Sequence, residues 1–136
     1  MPRVLIVDDQ RTNLAVMSLF VRLIEGCEPH PHLDSREALR EASETPFDLA
    51  IIDHNMPHLS GLELIRRLRE LPHSREIPVI VASVEDDPKV IRTARSAGVE
   101  HFLTKPVERE RLAALVRGAL RLDEAPVSRV LRAVKA

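Results

Sequence analysis

The sequence predicts a doubly wound α/β sandwich, with a five-stranded parallel sheet between two layers of helices. Two observations carry that expectation. Four short, mainly apolar runs, Val4-Leu5-Ile6-Val7, Leu49-Ala50-Ile51-Ile52, Val79-Ile80-Val81-Ala82 and His101-Phe102-Leu103-Thr104, suit strands buried on both faces. Between them lie segments with apolar residues at helical spacing, bounded by capping residues.

Each element follows in order. Strand one is residues 4–7. Leu14, Met17, Val21 and Ile24 form the inward stripe of helix one, with Gly26 placed to stop it. Strand two is residues 28–33, where Pro29 and Pro31 remove N–H donors that a central strand needs and thereby assign it to an edge. Asp34 or Ser35 caps helix two, which carries Ala38, Leu39 and Ala42. Strand three is residues 49–52. Ser60 followed by Glu63 reads as a capping box for helix three, with Leu64, Ile65 and Leu68 inward and Pro72 just past its end. Strand four is residues 79–82. Asp87-Pro88 is a cap with proline at the first helical position, opening a helix four that stops at Gly98. Strand five is residues 101–104, and Leu112, Leu115, Val116, Ala119 and Leu120 give helix five the clearest amphipathic stripe. After Leu122 the polar, proline-bearing Asp123-Glu124-Ala125-Pro126 breaks the pattern, which divides the chain into a folded domain, 1–122, and a linker or tail, 123–136.

Five βα units with right-handed crossovers make a three-layer sandwich. An edge position for strand two matches the strand order 2-1-3-4-5 of flavodoxin-like folds, adopted here from that fold class rather than derived. In it strands one and three are neighbours at the switch point, where open α/β sheets place ligands at the carboxyl ends of their strands.

At 136 residues the chain has room for one compact domain. A formal net charge of -1 argues against a nucleic-acid surface built on bulk positive charge. The longest mostly apolar stretch, residues 14–21, is too short for a bilayer, and no basic-then-apolar signal segment opens the chain. Cys27 is the single cysteine, so no internal disulfide can form. These points favour a cytoplasmic protein. With no Trp or Tyr and three Phe, the stacking platforms of flavin or single-strand binders are missing.

The chemistry lies in what ends each strand: Asp8-Asp9, Asp53, Ser83 and Lys105. Taken singly, each has a bland reading as a cap, a loop hydroxyl or an ordinary strand exit. Four strand ends on one sheet edge acquiring these types by chance is improbable. Crowded carboxylates repel unless a cation joins them, and Mg²⁺, which prefers few protein oxygens plus substrate oxygens, suits Asp8, Asp9 and Asp53. Asp53 is the candidate nucleophile toward a phosphoryl group, with Lys105 and the Ser83 hydroxyl facing the phosphoryl oxygens.

On these residues the chain resembles the receiver domain of two-component response regulators, over about residues 3–122. The resemblance rests on Val7-Asp8-Asp9, on Asp53-His54-Asn55-Met56-Pro57 with Gly61 four residues on, on Ala82-Ser83, and on Phe102-Leu103-Thr104-Lys105-Pro106. It implies that Asp53 accepts phosphate from the phosphohistidine of a sensor histidine kinase or phosphotransfer protein. It further implies a Mg²⁺ site of Asp8, Asp9, Asp53 and the backbone carbonyl of Asn55. Ser83 then takes the place of the switch hydroxyl, Phe102 that of the switch aromatic and Lys105 that of the invariant lysine. The Lys105-Pro106 bond is often cis in the family. Phosphorylation would shift the surface of helix four, strand five and helix five to signal to an output domain or partner protein; a homodimer through helices four and five is compatible with the resemblance but is not readable from one sequence.

Two departures stand out. Val84 follows Ser83 where receivers usually carry Ala or Gly, and Phe102 lacks the hydroxyl of the commoner tyrosine. Asn55 and Glu85 occupy positions that tune dephosphorylation in the family. The opening Asp8-Asp9-Gln10-Arg11-Thr12-Asn13 is similar to receivers joined to cyclic-dinucleotide enzymes. Competing readings have their own discriminators. An aspartate-nucleophile phosphatase needs a second Asp two residues after the nucleophile, where Asp8 has Gln10. A flavin carrier would be coloured. A receiver-like docking module never controlled by phosphate has no use for an acidic pocket. A zinc site would use His30 and His32, which share a face if strand two is regular.

Overall fold

A computed structural model of the chain describes residues 1–84 and 88–122. The expected Asp87 cap, Glu85, and the linker or tail lie outside the described residues. The elements alternate as β1 (Arg3–Val7), α1 (Arg11–Arg22), β2 (Glu28–His32), α2 (Ser35–Glu44), β3 (Leu49–Asp53), α3 (Gly61–Glu70), β4 (Val79–Ser83), α4 (Pro88–Ser96), β5 (His101–Thr104) and α5 (Arg109–Leu120). A short 3₁₀ turn, Pro72–Ser74, follows α3. The five strands are parallel in the order β2-β1-β3-β4-β5, as the sequence predicts.

Side chains alternate across each strand, so every apolar run supplies both layers. Val4, Ile6, Leu49, Ile51, Ile80, Ala82 and Leu103 pack with Leu14, Met17 and Val21 of α1 and Leu112 and Val116 of α5. Leu5, Val7, Ala50, Ile52, Val79 and Val81 pack on the other face with α2, α3 and Ala94 of α4. The three central strands lack polar alternation because both faces are covered.

The prolines of β2 sit where their missing N–H does no harm. Glu28 donates its N–H to Pro2 O (2.8 Å), and His32 O accepts from Asp8 N (3.2 Å), so the even-numbered residues of β2 bond to β1. Pro29 and Pro31 then direct their donor-free nitrogens at the open edge, which blocks strand addition there. The two histidines are engaged with α2. His32 Nε2 lies 2.6 Å and His30 Nδ1 3.3 Å from the Glu41 carboxylate, and Arg3 Nη2 lies 3.5 Å from it. Burial alone would raise the Glu41 pKa, but the His32 hydrogen bond and the charges of His30, His32 and Arg3 outweigh it and hold it below the usual value. Among the described residues Asp8, Asp9 and Asp53 form the one set of three or more potential metal ligands whose donor atoms all lie close together, whereas the two histidines of the zinc reading are both turned to Glu41.

Caps fall close to expectation. Asp34 is the N-cap of α2, its carboxylate accepting from Arg36 N at 2.8 Å, and Ser60 Oγ accepts from Glu63 N at 3.2 Å. Helix α1 is shorter than its apolar stripe implies. It closes at Arg22, and Ile24 is buried from the turn that follows, with Gly26 completing the reversal at φ 82°. An apolar residue after a helix can meet the same core through a turn, so the spacing overran the helix.

Candidate functional site

Strand register and alternation assemble the site. On β1 the α1/α5 face is Val4 and Ile6, and two residues on it is Asp8; on β3 it is Leu49 and Ile51, then Asp53. Val7 pairs with Ile52, so the next residues along, Asp8 and Asp53, lie side by side. On β5 Leu103 faces the same way, and two residues further is Lys105. Ala82 lies on that face of β4, between Asp53 of β3 and Leu103 of β5, and presents only a methyl group there.

Lys105 Nζ donates to Asp8 Oδ2 at 2.8 Å and to Asp53 Oδ1 at 3.0 Å. All three are enclosed, the side chains being 10%, 0% and 6% exposed for Lys105, Asp8 and Asp53. Asp9 joins them, with one carboxylate oxygen from each of the three aspartates lying within 4.8 Å of the others. Gln10 donates its backbone N–H to Asp8 Oδ1 (2.9 Å), holding that carboxylate in an Asx-type turn before α1. The mouth of the pocket is lined by Asp9, Gln10, Asn13, Asn55 and Val84, with Asp53 and Lys105 behind.

Charge sets the chemistry. Three carboxylates face one ammonium, leaving a net negative pocket of hard oxygen donors. Burial raises the Asp53 pKa; the Lys105 hydrogen bond opposes this, the Asp8 charge adds to it, and the Asn55 backbone N–H opposes it, with a net upward shift. For Lys105 burial would lower the value, but the hydrogen bonds and charges of Asp8 and Asp53 outweigh burial and raise it. The native state therefore holds a proton on Asp53 more tightly than the unfolded chain does. The stability this confers is fully present below the unfolded value, about 3.9, and is lost as pH rises through the folded one. Asp53→Asn is thus expected to raise the thermal midpoint of the metal-free protein near neutral pH, with the gap to wild type closing at low pH. Melting curves across that range measure it; an unchanged or lower midpoint at neutral pH contradicts this electrostatic picture.

The α3 start completes the site. Gly61 donates its N–H to His54 O at 3.1 Å. A Cβ at Gly61 would collide with the Asp53 carbonyl oxygen and lie 2.9 Å from His54 Cα. Glycine here permits close approach between the α3 start and the end of β3. The Lys105-Pro106 bond is cis.

The structure thus brings together Asp8, Asp9, Asp53 and Lys105. Ser83 continues the alternation of Val79 and Val81 on the α2–α4 face, where Phe102 also packs. Ser83 touches the group through its backbone, its carbonyl accepting from Lys105 N at 2.8 Å. Phe102 is half-buried, with the Arg95 guanidinium carbon 5.7 Å from its ring centroid. Asn55 is exposed on the loop after β3. Gln10 and Asn13 were not singled out as pocket residues from the sequence; the turn-forming tendency of Asp8 ahead of a helix was the available signal for Gln10.

Comparison with known proteins agrees with this geometry. The family model "Response regulator receiver domain" matches residues 4–117. The cyclic di-GMP phosphodiesterase response regulator RpfG of Xanthomonas campestris pv. campestris is 34% identical over 125 residues, covering 89% of this chain and 32% of that protein. The transcriptional regulatory protein PrrA of Mycobacterium leprae is 37% identical over 120 residues, covering 88% of this chain and 50% of that protein. The chain therefore spans a third to a half of the length of these curated relatives. Among solved structures, the chemotaxis protein CheY4 of Vibrio cholerae superposes with a TM-score of 0.83 at 29% identity, covering 88% of this chain and 99% of that one. No helix of the described residues is long and apolar enough to cross a membrane. With this acidic pocket on this fold and a family match across nearly all of its described residues, the chain belongs to the response regulator receiver family, a phosphoacceptor signalling module rather than a true enzyme.

Proposed function

We propose that this receiver accepts a phosphoryl group on Asp53 from a histidine kinase or phosphotransfer protein and signals through a changed α4–β5–α5 surface. The observation that supports it best is the Asp53 carboxylate held 3.0 Å from the Lys105 ammonium in an acidic pocket whose mouth opens past Asn55 and Val84. A carboxylate oxygen of Asp53 bonds to phosphorus as the phosphorus–nitrogen bond to the donor imidazole breaks, and that imidazole leaves with the electron pair. Lys105 keeps its proton and neutralises charge on the phosphoryl oxygens. The clustered, net negative oxygen donors fit Mg²⁺, with Asp8, Asp9, Asp53 and the Asn55 carbonyl as its ligands. When bound, the ion shields the phosphoryl oxygens from the surrounding carboxylates.

Phosphorylation adds about two negative charges and new acceptor oxygens beside Asp53. In the proposed switch the Ser83 hydroxyl turns to those oxygens, and Phe102 turns inward into the space released. The phosphoryl group acts as a covalent ligand that biases two packings of one element. Adding beryllofluoride with Mg²⁺ is expected to move amide resonances across residues 84–105, and shifts confined to residues touching Asp53 overturn the switch. Output goes to a following domain or a partner protein. The names of two relatives, a phosphodiesterase and a transcriptional regulator, illustrate outputs that a receiver can serve.

Val84 is 62% exposed and lines the same pocket as Asp53, and in the proposed reading its branched side chain narrows the approach to that carboxylate. Val84→Ala is expected to speed phosphorylation by acetyl phosphate on the order of threefold, under 1 kcal/mol of barrier. An unchanged rate rejects the steric role.

A further inference from the structure

Helix α4 is buried unevenly along its length. Ala94 is its one buried residue, whereas α3 buries Gly61, Leu64, Ile65 and Leu68. The carboxyl end of α4 is closed by a Schellman arrangement: Val99 N donates to Ala94 O (3.0 Å), Gly98 N to Arg95 O (3.0 Å), and Gly98 has φ 85°. Ala94 and Val99 pack in the same cluster beneath it. At the other end Pro88 and Lys89 are exposed.

One long side chain joins the closed end to the rest of the fold. Arg69, in the last turn of α3, sends Nε to Ala97 O at 3.2 Å. Its Nη1 is shared among Ile77 O (2.6 Å), Arg75 O (3.2 Å) and Ser74 O (3.3 Å), the segment leading into β4. Among the described residues no ion pair with a carboxylate involves Arg69, and burial lowers its pKa. Arginine nonetheless keeps its charge, so this is a half-buried cation stabilised by carbonyl dipoles. Ala97 O lies in the carboxyl-terminal turn of α4, where orphan carbonyls gather partial negative charge and the Schellman bonds leave that oxygen unused.

We propose that Arg69 is a positioning residue that anchors the carboxyl end of α4 to α3 and to the start of β4, so that switching at Ser83 swings the helix about Gly98 from its Pro88 end. The anchoring stands on geometry alone; the swing rests on the phosphorylation reading given above.

Arg69→Gln and Arg69→Lys test it, each first shown to melt cooperatively. In the resting protein, amide exchange at residues 94–99 is expected to accelerate about tenfold in Arg69→Gln, with amides of β1 and β3 unchanged and Arg69→Lys recovering part of the protection. With beryllofluoride and Mg²⁺, wild-type shifts along α4 should be largest near residues 88–92 and fade toward 96–99, whereas in Arg69→Gln residues 96–99 shift as well. Unchanged exchange at 94–99 overturns the anchor. A wild-type gradient that is flat, or that survives in Arg69→Gln, overturns the pivot. Should beryllofluoride move no amide anywhere, the phosphorylation reading and the pivot fail together, while the exchange result still decides the anchor.

Discussion

Lys105→Met is expected to destabilise the metal-free protein by on the order of 3 kcal/mol, because it leaves two enclosed carboxylates facing each other without a counter-charge. The ammonium now satisfies Asp8 Oδ2 at 2.8 Å and Asp53 Oδ1 at 3.0 Å, and neither aspartate has compensating exposure. Methionine keeps much of the stem packing and removes the charge, so the loss reads electrostatics rather than a cavity. Two accompanying effects separate this cause from general damage. The deficit should shrink as pH falls and Asp53 takes up a proton, and it should shrink on adding Mg²⁺, which neutralises the same carboxylates. Recovered stability should not fully bring back signalling, since the proposed contact of the ammonium with the phosphoryl oxygens is lost with the lysine: beryllofluoride shifts at residues 101–104 should be reduced. Urea unfolding with and without Mg²⁺ measures the first part. Wild-type stability in the metal-free variant would mean that the three charges are solvated rather than coupled.

Gly61→Ala is expected to cost about 2–3 kcal/mol and to slow phosphorylation of Asp53 sharply. The reason is space. The added methyl meets the Asp53 carbonyl oxygen and His54 Cα, both backbone atoms that no side-chain rotation can move aside. Either α3 retreats from β3, breaking the 3.1 Å bond from Gly61 N to His54 O, or the segment carrying Asp53 and Asn55 shifts. Both disturb the pocket. Gly118→Ala is the internal control: nothing lies within 4 Å of its Cβ position in α5, so the substitution should be neutral or stabilising through helix propensity. Equal behaviour of the two variants in denaturant melts would remove the steric argument.

Much of the site was legible because a parallel strand's alternation carries side-chain direction with it. Once Ile6, Ile51 and Leu103 are placed on one face, Asp8, Asp53 and Lys105 must follow two residues later on the same face. The edge strand was legible for a complementary reason, since Pro29 and Pro31 exclude any position with neighbours on both sides. What escaped the sequence depends on how far long side chains reach. That Lys105 bridges Asp8 and Asp53 together, that Glu41 gathers His30, His32 and Arg3, and that Arg69 collects four carbonyls are facts of register between distant segments. Periodicity says which way a side chain leaves the backbone, not which partner it meets. The same limit explains α1, where Ile24 reads as a helical position yet reaches the core from the turn beyond Arg22. Gly61 looked like family punctuation, and only the distance to Asp53 O gives it a physical cause.

The most direct test weighs the intact protein after brief incubation with acetyl phosphate and Mg²⁺, under conditions that preserve acyl phosphates. Wild type should gain the mass of one phosphoryl group, and Asp53→Ala should gain none. A wild-type protein that stays unmodified, or an adduct that survives in Asp53→Ala, would contradict the assignment of Asp53 as the phosphoryl acceptor.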